Sequence, residues 1–488
     1  MSGARSAELA GKVAAWIGSA RWFAGKDGAT PQVSIHDLAM LADGRHGLAL
    51  ADTPAGEGVG DAGTIRSVVP LDLATGLDRA ATPACAGSHV RLALAGGETH
   101  GDRGCFVGRP IGGRSRPYGP GGTDWGKVTV APLGADASNT SLRVDTLAAD
   151  GRGKSVALKL LRRCRPGVNP EVECGRFFAE DADWHETPRC LGWVEYRPAD
   201  AASPADRVAI ATIHSFEPGC RSLWEHCLAL VAEGGLDGPH RDTLRRIACS
   251  LGQVTARMHA ALASRPDLPD FAPRPATAAT RGALAKSLAS HARDRLAHAV
   301  DAAPGLRERA RLEAIGRSSG RIVAAIETVA FAGTSAADIR LHGDYHLGQV
   351  LIDTAGTRLL PIDFEGEPGR SLAERRSPGS VCKDVAGMCR SFDYFSRVAA
   401  GGGGADGGAA VDRPRADAGP LIEAFLTAYR ESAQGAFWWP ADPSESQRLL
   451  DAFMLDKAVY ELAYEMANRP DWIDVPLSAL EQWLTGER

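Results

Sequence analysis

The chain has 488 residues, a formal net charge of −5 and 44% hydrophobic content. That length allows two or three lobes with sizeable cores, the slight acidity argues against neutralising a nucleic-acid backbone, and no apolar run reaches the roughly 18 residues of a membrane span. Its ten cysteines are scattered without a C-x-x-C pair, which reads as reduced structural thiols in a cytosol.

Met1 to Ala20 holds Glu8 and Lys12 within its apolar stretch and lacks a signal-peptide layout, so a cytoplasmic protein is expected. Glu8 to Ala20 reads as a helix, and Arg21-Trp22-Phe23-Ala24-Gly25-Lys26 ends it with a glycine stop. Short runs follow at Val33-Ser34-Ile35-His36, Leu48 to Ala51, Val68-Val69 and Val90 to Leu94. They read as strands and turns of a small N-terminal cap over residues 1–100. Gly108 to Gly122, rich in Arg, Pro and Gly, reads as an irregular surface loop.

Lys127 to Val130 reads as a strand. Ser138-Asn139-Thr140-Ser141 then forms a turn whose hydroxyls and backbone N–H groups suit a phosphate, although an ordinary hairpin turn has the same composition. Ser155 to Leu161 is the next strand and places Lys159 among apolar neighbours, which is costly without a partner. It resembles the V-A-I-K strand of protein kinases, whose lysine contacts the α- and β-phosphates of ATP. Glu173, in a helix from Glu171 to Glu180, is the expected partner of Lys159, with Glu171 suited to the helix dipole. Val208 to Phe216 is a strand ending at Glu217-Pro218-Gly219, where a hinge would fall, and backbone near Ile213 to Ser215 would meet an adenine edge. Residues 101–217 are thus expected to form a nucleotide-binding N-lobe and 218–488 a helical C-lobe.

Leu244, Ala248, Leu251, Val254, Met258 and Leu262 mark an amphipathic helix, with His259 a packed core histidine. Pro266 to Pro275 is a connector, and further helices run to about Phe331. The most informative segment comes next. Leu341-His342-Gly343-Asp344-Tyr345-His346-Leu347-Gly348-Gln349 enters an apolar strand to Asp353, and Pro361-Ile362-Asp363-Phe364-Glu365 follows the return strand. Protein kinases likewise place a catalytic Asp, an amide five residues on and a metal-binding Asp beyond a hairpin. In that chemistry Asp344 takes a proton from the attacking hydroxyl, while Gln349 and Asp363 hold Mg²⁺. Asp344, Asp363, Glu365 and Glu367 would repel one another without a cation, which favours a metal-dependent kinase over a glycosidase.

Ser371 to Arg376 and Asp384 to Val398 read as helices, and the Gly-rich stretch near 399–419 as a flexible insertion. On the last long helix, Ser444 to Asn468, Lys457, Glu461, Glu465 and Asn468 share a face, Tyr460 and Tyr464 lie one step round, and Trp472 follows. Polar groups beside aromatic faces suit a sugar; a solvated surface with a Lys457–Glu461 pair is the competing reading. His342 would either orient a sugar hydroxyl or hydrogen-bond the loop.

H-G-D-Y-H-L-G-Q-V-L from His342, I-D-F-E-G-E-P from Ile362, L-A-E-R-R from Leu372, Asp384 to Met388, Arg390 to Tyr394 and Asp456 to Glu461 resemble the actinobacterial maltokinases. R-W-F-A-G-K from Arg21 and the Ser138–Ser141 turn fit the same pattern. The resemblance implies an α+β, bilobal protein-kinase-like fold related to aminoglycoside phosphotransferases, with an N-terminal cap, a small β-rich N-lobe and a mostly helical C-lobe. It implies transfer of the γ-phosphoryl of ATP, with Mg²⁺, to the anomeric hydroxyl of maltose. Kinases of glucosamine use a similar core and give the alternative acceptor, with aminoglycosides behind them. Carried over, Asp344 is the general base, Gln349 and Asp363 are Mg²⁺ ligands, and Lys159, Glu173 and Ser138, Asn139, Thr140 and Ser141 serve the nucleotide. His342, Tyr460, Glu461, Glu465 and Trp472 serve the sugar. A monomer is expected, with a trehalose- or maltose-converting enzyme as the associated protein.

Overall fold

The computed structural model describes residues 3–486 apart from 21, 24–29, 55–62, 113–126, 135–138, 148–152, 233–234, 237, 304, 306 and 400–416. The chain divides into two units, Met1–Pro218 and Gly219–Arg488, each described here by itself. Much of R-W-F-A-G-K, Ser138 and most of the Gly-rich stretch lie outside the described residues.

In chain order, the first unit has α1 (Gly3–Ile17), β1 (Ser34–Met40), β2 (His46–Pro54), β3 (Thr64–Asp72), α2 (Pro83–Ala95), β4 (Glu98–His100), β5 (Gly104–Pro110) and β6 (Lys127–Pro132). Then come β7 (Thr140–Leu147), β8 (Gly153–Leu160), β9 (Arg163–Cys164), α3 (Pro170–Glu180), β10 (Cys190–Pro198) and β11 (Val208–Ser215). Its strands form an antiparallel sheet of order β1-β2-β3-β9 and a seven-stranded sheet of order β4-β5-β10-β11-β8-β7-β6. Because β3 pairs with β9, and Leu48, Leu50 and Val68 share one core with Leu158, Val194 and Ile213, residues on both sides of position 100 pack together. Helix α1 buries Leu9, Val13 and Ile17 against Ala49, Val69 and Leu71.

Val90 to Leu94, expected as a strand, belongs to helix α2. Local signals explain the difference: Thr82 caps the helix by accepting from the Cys85 N–H, Pro83 stands at its first turn, and Gly96 ends it at φ +74°. Gly108 to Pro110, expected as loop, continues β5 in register with β10. A Cβ on Gly108 would lie 1.7 Å from the Leu92 carbonyl oxygen, so only glycine lets α2 rest on this strand.

The second unit begins with β12 (Cys220–Ser222), α4 (Leu223–Val231), α5 (Arg241–Leu262), β13 (Arg274–Pro275), α6 (Ala278–Asp301), α7 (Arg309–Arg317) and α8 (Ser319–Glu327). It continues with β14 (Ala337–Asp338), β15 (Val350–Asp353), β16 (Leu359–Pro361), α9 (Leu372–Arg376), α10 (Cys382–Ala399), α11 (Gly419–Ser432), α12 (Pro443–Asn468) and α13 (Asp474–Thr485). The apolar stripe of α5 is buried as its spacing predicts. At Gly252 a Cβ would come within 2.4 Å of the Phe425 carbonyl, so α5 and α11 meet backbone to backbone there. Strands β12, β15 and β16 form a small sheet that carries the polar loops of the next section. Among the described residues no helix is long and apolar enough to cross a membrane.

Candidate active site

In the first unit Lys159 lies on β8, where burial alternates: Val156, Leu158 and Leu160 enter the core and Lys159 takes the other face, half-buried. It is therefore not enclosed by apolar neighbours as the sequence suggested, because the period-two pleat turns it away from them. Its register partners are Ser141 on β7 and Thr212 on β11, which puts Ser141, Lys159 and Thr212 in one row across the sheet. Thr140 accepts from Arg162 at 2.8 Å, and that buried guanidinium also pairs with Asp78 at 2.7 Å. Asn139 is buried just ahead of β7. Glu173 is buried in the first turn of α3, which Asn169 caps, and Glu171 lies 3.8 Å from His214.

In the second unit the hairpin β15–β16 and the loops at its ends gather the key side chains. A 3₁₀ turn at Leu347–Gln349 delivers Gln349 to the start of β15, and Gln349 Nε2 donates to Asp363 Oδ2 at 2.9 Å. The amide oxygen of Gln349 and the carboxylate of Asp363 are thus neighbouring oxygen donors, the hard ligand type that Mg²⁺ takes. Asp363 has φ +66° and, among the described residues, is the one non-glycine in the left-handed region. Such a backbone costs a side-chain-bearing residue about 1–3 kcal/mol and marks sites where placement outweighs comfort. Gly343 at φ +89° and Gly366 at φ +72° flank the same place, and a Cβ on Gly343 would meet the Gly366 Cα at 3.0 Å.

The loop that carries Asp344 is anchored from behind. Asp384 in the first turn of α10 accepts the backbone N–H groups of His342 and Gly343, each at 2.9 Å. His259 on α5 stands 3.3 Å from the same carboxylate and contacts the Tyr429 hydroxyl at 2.8 Å. Burial raises the Asp384 carboxyl, yet these bonds hold it below its ordinary range. Gly387, one turn on, lets α10 approach the Tyr345 carbonyl; a Cβ there would sit 2.8 Å from it.

His342 is 1% exposed, its Nε2 bonds the Ile362 carbonyl at 2.8 Å and its ring packs on Tyr345 and Phe364. Of the two roles expected, the structure supports the loop contact, and burial takes the ring out of reach of a sugar hydroxyl. Glu461 and Glu465 differ from expectation in the same way. Glu461 accepts from Arg390 at 2.6 Å, and Glu465 from Arg469 at 2.8 Å and the Tyr394 hydroxyl at 3.1 Å. Both carboxylates are buried and paired. Lys457 does not pair with Glu461: its Nζ lies 3.2 Å from Asp344 Oδ1 and 3.4 Å from Glu367 Oε1.

The acidic edge read from the sequence is therefore already partnered. Glu367 also meets Arg370 at 3.3 Å and Lys383 at 3.6 Å, and Arg375 approaches Glu365 at 4.0 Å. Burial raises Glu367, but Lys383, Lys457 and Arg370 together hold it down at about 2. Tyr460 and Trp472 offer aromatic faces. Tyr460 stacks on Tyr464 with centroids 6.3 Å apart and 23° between planes, and Trp472 on Tyr394 at 6.5 Å and 17°.

Asp384 and Arg390 were not singled out as site residues from the sequence, and Lys457 was read on the face of the sugar and not at the base. For Asp384 a signal existed: it shares the buried stripe of α10 with Met388, Ser391 and Phe395, and a carboxylate on such a stripe needs donors. Lys457 was read with Glu461 on the polar face of the last long helix, and nothing local pointed it at Asp344, since Glu461 four residues on is its natural helical partner.

The profile of the phosphotransferase enzyme family (APH) matches residues 129–418. A glucosamine kinase of Streptacidiphilus jiangxiensis is 30% identical over 298 residues, covering 60% of this chain and 60% of that protein. One from Mycolicibacterium smegmatis is 27% identical over 293 residues, covering 60% and 66%. The chain thus matches less than two thirds of the length of either relative. These relatives carry the name glucosamine kinase rather than maltokinase. A solved glucosamine kinase in complex with glucosamine, ADP and inorganic phosphate shares the fold, with a TM-score of 0.61, 22% identity and coverage of 97% of this chain and 99% of that one. With more than half of its length matched by the family profile, the chain belongs to the phosphotransferase enzyme family.

Proposed function

We propose that this protein is a sugar kinase that transfers the γ-phosphoryl group of ATP to a hydroxyl of an amino sugar of the glucosamine type. The observation that carries the reading is the Gln349–Asp363 contact at 2.9 Å, formed beside the anchored Asp344 loop in a chain of this family. Its relatives named glucosamine kinase support the acceptor class.

In this reading Asp344 is the general base, receiving the hydroxyl proton as the acceptor oxygen attacks. Asp384 fixes the amides just before it and so sets the approach of the carboxylate. Gln349 and Asp363 would hold Mg²⁺, which when bound would offset the negative charge of the phosphates. In the first unit Lys159 and Asn139 to Ser141 are the proposed nucleotide-binding residues, with Glu173 as the lysine's partner. Tyr460 and Trp472 give the sugar its aromatic faces.

A second reading, with maltose as acceptor, rests on charge. A cationic acceptor favours a carboxylate free of other cations, yet Asp344, Glu367, Glu461 and Glu465 each meet a Lys or Arg. A neutral sugar makes no such demand. Coupled ADP release with glucosamine, glucose, maltose and kanamycin separates the readings. Preference for glucosamine upholds the first, preference for maltose the second, and no transfer to any acceptor overturns both.

A further inference from the structure

Helix α12 sends one ammonium to the proposed base. Lys457 Nζ bridges Asp344 Oδ1 at 3.2 Å and Glu367 Oε1 at 3.4 Å, with the Tyr460 ring centre 5.1 Å away. Its side chain is 23% exposed. Its local partner is taken, because Arg390 from α10 holds Glu461 through Nε at 3.0 Å and Nη2 at 2.6 Å. Glu367 is itself fixed by Arg370 and Lys383. Burial works against the charge on Lys457, yet Asp344 and Glu367 keep it protonated beyond the ordinary lysine range.

We propose that Lys457 is a positioning residue for phosphoryl transfer: its ammonium ties Asp344 Oδ1 to Glu367 and leaves Oδ2 as the oxygen that takes the acceptor proton. The proposal rests on Asp344 being the base of an ATP-dependent kinase. In the step, the acceptor O–H bond breaks and its proton passes to Asp344 Oδ2. The acceptor oxygen bonds to the γ-phosphorus, and the bond from that phosphorus to the β–γ bridging oxygen breaks with its electron pair leaving on ADP. Lys457 keeps its proton throughout. Untied, the carboxylate is free to turn about Cβ–Cγ and lose its line to the hydroxyl, and misplacement of this kind is what a positioning contact prevents.

The test is a double-mutant cycle on the full chain. Wild type, Lys457→Met, Lys457→Arg, Asp344→Asn and the Lys457→Met/Asp344→Asn double variant are assayed with ATP and the best acceptor of the panel. Lys457→Met is expected to lose about 100-fold in kcat while the KM for ATP stays within about two-fold. Lys457→Arg, which keeps the charge, is expected to recover about ten-fold of that loss. The double variant is expected to be no slower than Asp344→Asn alone, because the two residues act as one unit. A kcat for Lys457→Met within about three-fold of wild type, or losses that multiply in the double variant, overturns the proposal. Should Lys457→Met fail to fold, Lys457→Gln replaces it under the same criteria. Wild type that binds ATP but transfers to no acceptor overturns the kinase reading itself, and the role of Lys457 falls with it. That outcome is told apart by wild-type turnover alone.

Discussion

The Asp384 carboxylate accepts the backbone N–H of Gly343, the residue just before the proposed base, at 2.9 Å. Its second oxygen takes the N–H of His342, so a side chain on one helix holds two amides of the loop. Asp384→Asn turns an NH₂ toward a buried donor. A buried donor left without an acceptor costs about 1–3 kcal/mol. The variant is expected to melt earlier and to lose at least about ten-fold in kcat with ATP affinity unchanged. Calorimetry and steady-state kinetics check it, and full turnover would remove Asp384 from the mechanism.

Asp344→Asn keeps the shape of the side chain and removes its basicity. Base removal of this kind costs about 100-fold or more in rate. ATP binding measured by titration calorimetry is expected to persist while transfer falls by about 100-fold or more to a residual rate. Turnover like wild type by the folded variant contradicts the assignment.

Glu367 ties the site to pH. Its carboxyl lies at about 2 when folded, against 4.5 for the free group, a difference of about 3 kcal/mol of stability at neutral pH. A depressed acid stabilises the fold above its unfolded value and ceases to do so as pH falls to its folded one. The gap in unfolding free energy between wild type and Glu367→Gln is therefore expected to hold above about pH 4.5 and to close toward pH 2. Denaturant titrations at pH 7, 5, 4 and 3 read this directly, and a gap independent of pH refutes it.

Gly387→Ala adds one methyl where the Tyr345 carbonyl lies 2.8 Å away. Either α10 or the loop must move, and a shift of about 1 Å at the base is enough for up to 100-fold in rate. The expected result is a fall in kcat well beyond any change in KM for ATP.

Glu461→Gln leaves Arg390 facing one anion, Asp393, in place of two. Leaving a buried charge with no partner costs about 3–5 kcal/mol, and with Asp393 still in place the loss is a part of that. A marked drop in Tm is expected, with the KM values for glucosamine and glucose changing in equal proportion. A selective loss for glucosamine would instead give this carboxylate to the acceptor.

The helices at α5 and α12, the strands β6, β8 and β11 and the hairpin at β15–β16 were legible because periodicity and turn residues report local structure. Gln349 and Asp363 were legible as a pair because hairpin spacing fixes their separation. The partners of Lys457, Glu461 and Glu465 were not. Helical spacing suggests Lys457–Glu461, whereas Arg390 lies 71 residues before Glu461 and takes its place. Nothing local encodes which of two competing cations wins. Helix α2 was missed for a different reason: a five-residue stretch at Val90 to Leu94, apolar except for Arg91, fits either period, and the caps at Thr82 and Gly96 carried the decision.

Asp363 keeps a carboxylate where the chain itself would prefer glycine. Its backbone, at φ +66°, is one that glycine adopts freely, so Asp363→Gly relieves roughly 1 kcal/mol of conformational cost. The same exchange deletes the acceptor of Gln349 Nε2, a bond to a charged group worth about 1.5–3 kcal/mol, and the carboxylate that the proposed metal needs. Selection for thermal survival alone therefore has little to gain at 363, and the strained aspartate is kept in place by its neighbour as well as by its proposed task.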